Sequence, residues 1–190
     1  IACVGNAATA QDIASSAART RAELGPITIL VNNAGITGFC RFEEITEEMM
    51  DRMMAINIKG PFLCTQAIIP DMVAARWGRI VNISSSSAQT GAPVMAHYAT
   101  SKGGVIAFTK TLAREYAEKG ITVNNIPPGF VDTPMLRASP VDVDAQAAQS
   151  PMKRAGSPED IAAACSYLVS EAAGYVTGHT LGVNGGRVMP

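Results

Sequence analysis

The chain has 190 residues, of which 47% are hydrophobic and 16% are charged, and its formal net charge is −1. This length is enough to bury one sizeable core, so we expect a single domain over residues 1–190. The Lys and Arg residues are scattered rather than clustered, which argues against binding to nucleic acid or to an anionic membrane surface. No apolar run approaches the ~18 residues that a membrane span needs.

The numbers and positions of the cysteines and histidines indicate the redox compartment and argue against a metal site. The four cysteines, at positions 3, 40, 64 and 165, lie far apart and show no CxxC spacing. They are predicted to be small buried hydrophobes in a reducing compartment. With only two histidines in the chain, a metal site is not expected. We therefore predict a cytoplasmic protein that binds no metal.

In chain order, the apolar residues 1–4 resemble a strand already in progress, with no initiator methionine before them. This suggests that an upstream segment is missing. An Ala-rich helix is predicted over 12–24, ending at Gly25-Pro26, and the β-branched run ITILV over 27–31 predicts a buried strand that leads into NNAG. Thr46 is predicted to cap a helix that extends to about residue 75, with Gly60-Pro61 and Pro70 as breaks.

The second half continues the alternation of strands and helices. Strands are predicted at 78–84, 120–126 and 179–186, helices at 97–119 and 158–170, and irregular chain at 135–153. Alternation of this kind predicts an α/β fold, with a parallel sheet covered by helices on both faces. In such sheets, ligands bind beyond the carboxyl ends of the strands.

Tyr98 and Lys102 lie four positions apart on a predicted helix and therefore share one face. A phenol with a pKa near 10 needs roughly 4 kcal/mol of stabilisation of its anion before it can act as a base at neutral pH. One cation ~4 Å away, at an effective dielectric constant of ~20, supplies about that much. We therefore predict that Lys102 lowers the pKa of Tyr98, which then exchanges a proton with a hydroxyl or carbonyl group.

Each of these signals also has an ordinary interpretation. A Tyr-x-x-x-Lys pattern occurs by chance in a chain of this composition about one time in ten. Ser85, thirteen residues before Tyr98, either holds a substrate oxygen or belongs to a merely polar SSSS loop. Asn57 lies within a predicted helix, where it either occupies an inward kink or faces solvent.

Taken together, the ordered motifs resemble the short-chain dehydrogenase/reductase family. They are NNAG at 32–35, Asn57, Ser85, Tyr98 with Lys102, Pro128-Gly129 with Thr133, and VNGG at 183–186. The resemblance extends from Asn6 to Gly186. It implies a Rossmann-like doubly wound parallel sheet.

The resemblance also implies a role for each matching residue. The implied catalytic residues are Asn57, Ser85, Tyr98 and Lys102, with Tyr98 as the general acid/base, Ser85 as the group that orients the substrate oxygen, and Asn57 as the anchor of a water relay. Ser85 and Tyr98 are also the implied substrate-binding residues. The implied cofactor-binding residues are Asn6, Ala7, Asn33, Ala34, Gly35, Tyr98, Lys102, Pro128, Gly129, Val131 and Thr133.

Two departures from the family pattern matter. Asn6 stands where the family usually has an acidic residue that meets adenine, although an amide can still form hydrogen bonds there. The glycine-rich phosphate loop has no counterpart, so we expect a chain that lacks the first βαβα portion, about fifty residues in all, more than one βαβ unit. The residue that selects NAD or NADP belongs to that portion, so the choice between the two stays open.

The resemblance thus implies an NAD(P)-dependent oxidoreductase that interconverts a secondary alcohol and a ketone. The motif spacing is closest to that of 3-oxoacyl-[acyl-carrier-protein] reductases. Sugar-alcohol, steroid and terpenoid alcohol dehydrogenases share the spacing, and a non-catalytic remnant retained for association is a further alternative. The implied partners are a small-molecule carbonyl or alcohol substrate and further copies of the chain, as a dimer or tetramer formed through the helices at 47–75 and 97–119. Residues 135–152 resemble the family's substrate lid, and their apolar side chains favour a hydrophobic substrate as much as simple packing.

Overall fold

The computed structural model describes residues 1–189 and has three parallel strands at its centre. They are β1 (Ile29–Asn32), β2 (Gly78–Ile83) and β3 (Ile121–Ile126), in the order β1-β2-β3. Ile29 is paired with Arg79 across the first ladder, and Gly78 with Ile121 across the second. All three strands lie where the β-branched runs predicted them, and the parallel α/β fold is confirmed.

Within residues 1–189, eight α-helices surround these strands. They are α1 (Ala10–Leu24), α2 (Glu47–Met54), α3 (Gly60–Ala75), α4 (Ser87–Thr90), α5 (Ala96–Tyr116), α6 (Pro134–Arg137), α7 (Val143–Gln149) and α8 (Pro158–Val169). The Thr46 hydroxyl accepts a hydrogen bond from the Met49 N–H, which confirms Thr46 as the cap of α2. Pro70 lies within α3 without ending it.

The sheet packs a hydrophobic cluster on each face, because successive side chains of a strand point to opposite sides. Ile80 of β2 joins Met72 of α3 and Leu112 of α5 in one cluster. Val81, the next residue of β2, joins Leu168 of α8 in the other. The predicted arrangement of helices on both faces of the sheet is therefore confirmed.

Two predicted strands do not form as expected. Residues 1–4 have no strand structure, and Val4 is fully exposed. The residues 179–186 contribute only isolated parallel bridges, from Thr180 to Asn125 and from Val183 to Pro128. Both segments have the composition of a strand, but a strand forms only where an aligned neighbour pairs with it, and here that pairing is absent or reduced to single bridges.

The long helical pattern that begins at Thr46 is interrupted earlier than predicted. Residues Ala55–Lys59 form a π-helical segment between α2 and α3, and Asn57 lies at its centre. A π-helical turn carries an extra residue and shifts the direction of the side chains that follow it. This segment turns Asn57 inward, where it is 1% exposed.

Buried amides connect the strand ends to the surrounding helices. Asn32 donates from Nδ2 to Asn82 Oδ1 at 2.8 Å, and Asn82 donates from Nδ2 to the Thr109 hydroxyl at 2.9 Å. These bonds cross from β1 through β2 to α5 and satisfy polar groups that are costly to bury unpaired. They fix the point at which β1 leads into the loop at 33–38.

Within residues 1–189, none of the helices combines the length and apolarity required to cross a membrane.

Candidate active site

A large cleft of about 1340 Å³ opens beyond the carboxyl ends of the three strands. Its wall includes most of the residues that the motifs singled out: Asn33, Gly35, Ser85, Tyr98, Lys102, Pro128, Gly129, Val131 and Thr133. They come from loops that follow different strands and from the start of α5. The cleft therefore lies at the sheet edge where parallel α/β folds bind ligands.

Lys102 is the buried cation of this cleft. Its side chain reaches from α5 to the end of β2, where Nζ donates a hydrogen bond to the Ile83 carbonyl at 2.9 Å. The residue is only 5% exposed. Burial lowers the pKa of the Lys102 ammonium from its ordinary 10.5 to about 8, because the charged form loses hydration.

Tyr98 lies one turn before Lys102, and its ring centroid is 6.0 Å from the Lys102 Nζ. Burial raises the pKa of Tyr98, and the Ser85 hydroxyl opposes that rise only in part. The net direction is opposite to the lowering predicted from the sequence. The loss of hydration is the largest influence on the Tyr98 pKa, and the Lys102 ammonium donates its hydrogen bond to the Ile83 carbonyl rather than to the phenol. The phenol is thus protonated at neutral pH and suited to give a proton.

The loop after β2 holds Ser85 beside the phenol. The Ser85 Oγ accepts hydrogen bonds from the Ser87 N–H at 3.2 Å and from the Ser87 hydroxyl at 2.8 Å. These two bonds use the acceptor positions of Ser85 and leave its proton to be donated, either to the Tyr98 oxygen or to a substrate oxygen in the cleft, since a hydroxyl has one donor and two acceptor positions. The structure thus brings Ser85, Tyr98 and Lys102 together as the motif spacing predicted.

Asn57 lies behind the cleft wall rather than on it. Its Oδ1 accepts from the Ile36 N–H at 2.9 Å, and its Nδ2 donates to the Ile36 carbonyl and to the Ser101 hydroxyl, both at 3.0 Å. The side chain therefore fastens the loop after β1 to α5. Its predicted part in a water relay stays a prediction.

Ser101 is a site residue that the sequence motifs did not predict. It is fully buried, and its hydroxyl donates to the Tyr98 carbonyl at 2.7 Å while accepting from the Asn57 Nδ2. It thus links Asn57 to the turn of helix that carries the phenol. The signal in the sequence was its position three residues after Tyr98, which places the two on one helical face.

Gly35 makes room beside these polar groups. A Cβ at this position would lie 3.2 Å from both the Asn57 Oδ1 and the Lys102 Nζ. Asn33 and Ala34, which precede it, are exposed. This exposed backbone lies next to a buried ammonium. The Lys102 Nζ has three N–H donors and gives one of them to protein, so the other two are suited to the ribose hydroxyls of a nucleotide cofactor.

The loop after β3 forms the opposite wall. A Cβ at Gly129 would meet the Asn184 Cα at 2.9 Å, so only glycine fits between this loop and the chain at 183–186. The Thr133 hydroxyl accepts from the Leu136 N–H and caps α6. Pro128 and Val131 are partly buried in the same wall.

Asn6 and Ala7 do not belong to the cleft lining. The Asn6 N–H donates to Asp12 at 2.8 Å, and Asn6 Oδ1 accepts from the Ala8 N–H, so this amide forms a turn before α1. The Ala7 carbonyl packs against the start of α3, 2.8 Å from where a Cβ of Gly60 would lie. Their predicted contact with a cofactor stays a prediction.

Comparison with known proteins identifies relatives over almost the whole chain. A family model described as enoyl-(acyl carrier protein) reductase matches residues 1–187. Nodulation protein G of Azospirillum brasilense is 48% identical over 170 residues, which is 89% of this chain and 69% of that protein.

Two further relatives are named for their reactions. The acetoacetyl-CoA reductase of Cupriavidus necator is 40% identical over 190 residues, covering 100% of this chain and 77% of the relative. The 3-oxoacyl-[acyl-carrier-protein] reductase FabG of Staphylococcus epidermidis is 40% identical over 185 residues, covering 97% and 76% respectively.

Among solved structures, the gluconate 5-dehydrogenase of Burkholderia cenocepacia superposes with a TM-score of 0.91 at 31% sequence identity. The match covers 97% of this chain and 73% of that one. That crystal contains NADP and tartrate. The match extends the agreement from sequence to the backbone.

Proposed function

This chain belongs to the short-chain dehydrogenase/reductase family of oxidoreductases, and on that premise we propose that it reduces a 3-oxoacyl thioester to the 3-hydroxyacyl thioester with a nicotinamide cofactor. The names of the acetoacetyl-CoA and 3-oxoacyl-[acyl-carrier-protein] reductases support this substrate class, because both describe a ketone beside a thioester. The family membership confirms the prediction of an oxidoreductase.

The observation that carries the proposal is the joint position of Ser85, Tyr98 and Lys102 on one cleft. A protonated phenol beside a buried ammonium can donate a proton to an oxygen atom of a substrate. The raised pKa of Tyr98 keeps the phenol protonated at neutral pH, and this is the form that donates a proton when a carbonyl group is reduced.

The residues of the chain then divide the reaction among them. Ser85 donates a hydrogen bond to the substrate carbonyl oxygen and holds it against the Tyr98 hydroxyl. Tyr98 transfers its proton to that oxygen as a hydride adds to the carbonyl carbon, so C=O becomes CH–OH and the phenol becomes phenolate. Lys102 stabilises the phenolate by its positive charge until water returns a proton to it. The nicotinamide cofactor, when bound, supplies the hydride to the carbonyl carbon.

Several groups of the cleft are suited to hold the cofactor. Lys102 has two N–H donors beyond the one given to Ile83, and ribose hydroxyls are suitable acceptors for them. Asn33, Ala34 and Gly35 offer backbone without bulky side chains. The NADP in the gluconate 5-dehydrogenase crystal supports a dinucleotide of this kind, and both NADH and NADPH belong in the assay.

Much of the remaining cleft wall is apolar, which suits an acyl chain. Its wall includes Phe39, Val94, Met95, Met135 and Leu136. Val94 and Met135 are about half exposed, at 47% and 54%. An acyl substrate that covers them would gain the free energy of removing apolar surface from water.

Self-association is the second part of the proposal. Phe62 of α3 is 47% exposed, and its ring lies 5.8 Å from that of Phe108 on α5. Phe108 is partly buried against the core, so Phe62 is the exposed ring of the pair, and an exposed aromatic side chain is typical of a subunit contact. We propose that these helices pair with those of a second copy, in a compartment that keeps the four free cysteines reduced. Light scattering of wild type and Phe62→Asp tests this, since the variant should have the lower mass.

A sugar acid is the competing substrate class, favoured by the superposition on a gluconate 5-dehydrogenase. The deciding experiment follows the absorbance of NADH or NADPH with acetoacetyl-CoA and with 5-ketogluconate, in wild type, Ser85→Ala and Tyr98→Phe. The proposal predicts reduction of acetoacetyl-CoA with a preference over the sugar acid, and a loss of kcat of about 10²- to 10⁴-fold in Tyr98→Phe. Turnover of acetoacetyl-CoA that is absent, or equal in wild type and Tyr98→Phe, would contradict it.

A further inference from the structure

A second cavity of about 410 Å³ adjoins the catalytic cleft, and Arg187 lies between the two. Phe130, Gln146 and Ile161 line both cavities together with Arg187. These residues come from the loop after β3, from α7, from α8 and from the chain that follows the VNGG motif. Arg187 therefore lies in the part of the cleft wall where these four elements meet.

The Arg187 side chain is held in place by two contacts. Its guanidinium carbon lies 4.2 Å from the centroid of the Phe130 ring, and Nη1 donates to Gln146 Oε1 at 3.4 Å. Stacking on an aromatic ring occupies the flat face of a guanidinium group and leaves its N–H edge open. Of five N–H donors, one has an acceptor among residues 1–189.

Among residues 1–189, no ion pair compensates the positive charge of Arg187. Five other arginines contact a carboxylate, namely Arg19, Arg21, Arg79, Arg137 and Arg154. Arg187 has no such contact over the described part of the chain. An arginine that is oriented by a ring yet lacks a carboxylate partner is ready to accept an external one.

The positions of the charged residues on the cleft wall indicate that an anionic ligand would bind at Arg187. The charged residues of the wall are Lys102, Asp142 and Arg187. Lys102 is buried beside Tyr98 and serves the reaction, while the Asp142 carboxylate caps α7 by accepting from the Ala145 N–H. Arg187 is therefore the cation of the wall that is exposed to an incoming ligand.

We propose that Arg187 determines substrate specificity by binding an oxoanion, a carboxylate or a phosphate, on the part of the substrate remote from the reacting carbonyl. The guanidinium fork matches the two oxygens of such a group. This inference rests on the proposed function, because it assumes that the cleft accepts a ketone at Tyr98. It adds the requirement that a good substrate carries a negative charge.

The test compares substrates that share a reacting group and differ in charge. Acetoacetyl-CoA carries phosphates, 5-ketogluconate carries a carboxylate, and S-acetoacetyl-N-acetylcysteamine is neutral. In Arg187→Gln, kcat/KM for the anionic substrate that uses this site should fall about 10- to 100-fold, the effect of losing a hydrogen bond to a charged group. The value for the neutral thioester should stay within about twofold of wild type. The anionic substrate that loses rate shows whether the phosphate or the carboxylate is bound.

Several controls keep the result specific. Arg114→Gln removes an exposed arginine of α5 that lines neither cavity and should leave all three rates unchanged. Arg187→Lys keeps the charge and loses the fork, so its loss should be intermediate. If Arg187→Gln does not fold, the salt dependence of wild type decides: added salt should slow the anionic substrate and spare the neutral one.

An equal effect of Arg187→Gln on charged and neutral substrates, or no effect on any of them, would overturn the inference. A rise confined to the KM of the cofactor would also overturn it, because Arg187 would then serve the cofactor. Failure of the proposed function is distinguishable, since wild type would then fail to reduce the neutral thioester as well.

Discussion

Burial of the Lys102 ammonium makes the catalytic cleft a source of instability, and replacement by methionine should stabilise the fold. The pKa of Lys102 falls from its ordinary 10.5 to about 8 because the ammonium loses hydration. At roughly 1.4 kcal/mol per pKa unit, the protonated side chain lowers the free energy of unfolding by about 3 kcal/mol. Methionine removes this penalty but leaves the Ile83 carbonyl without the donor it now has, at a cost of about 1 kcal/mol. Lys102→Met should thus gain about 2 kcal/mol near neutral pH.

The pH dependence provides the check on this reasoning. A base with a lowered folded-state pKa carries its full penalty below that pKa, here about 8, and loses the penalty as the pH rises towards the unfolded value of about 10.5. The advantage of Lys102→Met should therefore shrink between about pH 8 and pH 10.5 and then reverse, since the bond to Ile83 is still absent.

Urea unfolding at several pH values measures the difference directly, with activity followed in the same samples. Lys110→Met, at an exposed position on the same helix, is the matched control and should show no comparable gain. The reasoning would be refuted if Lys102→Met were less stable than wild type near pH 7, or if the difference did not change with pH. The same variant should lose activity, because Tyr98 would lack its neighbouring cation.

Two further predictions concern backbone strain and the buried link behind the phenol. Val94 has a left-handed φ of 56°, a conformation that costs a β-branched residue about 1–2 kcal/mol. Val94→Gly should therefore raise the urea midpoint of unfolding, whereas the control Ala92→Gly in the same loop should lower it. A lower midpoint for Val94→Gly would contradict this prediction. Ser101→Ala removes the hydroxyl that joins Asn57 to the Tyr98 carbonyl and should reduce kcat about tenfold with little change in KM, while Ser101→Thr should retain most of the rate. An unchanged kcat, or a change in KM alone, would show that Ser101 is only a packing residue.

The sequence predicted the three strands and the longer helices because their signals are local. ITILV and GRIVNI are β-branched runs, and Thr46 stands directly before a helical pattern with acidic residues in its first turn. Two predicted strands failed because pairing is not a local property. Residues 1–4 and 179–186 have suitable composition, but a strand also needs an aligned neighbour.

The sequence brought Ser85, Tyr98 and Lys102 together correctly, but it mispredicted the direction of the Tyr98 pKa shift. Tyr98 and Lys102 were placed together because positions i and i+4 share a helical face. Ser85 was placed beside them because it follows a parallel strand, and ligands bind beyond the carboxyl ends of such strands. The sign of the Tyr98 pKa depends on how deeply the ring is buried and on where the Lys102 ammonium points. Neither the burial of the ring nor the direction of the ammonium can be predicted from the spacing of residues in the sequence.

Long-range contacts account for the remaining omissions. The link from Asn57 through Ser101 to Tyr98 joins a π-helical segment to α5. The stacking of Arg187 on Phe130 joins the chain after the VNGG motif to the loop after β3. Such contacts become visible only when the fold is known.

The pH profile of kcat/KM for reduction of acetoacetyl-CoA shows whether Tyr98 acts as the proton donor. If a protonated Tyr98 supported by a charged Lys102 delivers the proton, the rate should be level near neutral pH. It should then fall as the pH rises through about 8, where Lys102 loses its charge. In Lys102→Met the fall near pH 8 should be absent and the rate low throughout. A wild-type rate that increases through this range would mean that Tyr98 acts as phenolate, and would contradict the account.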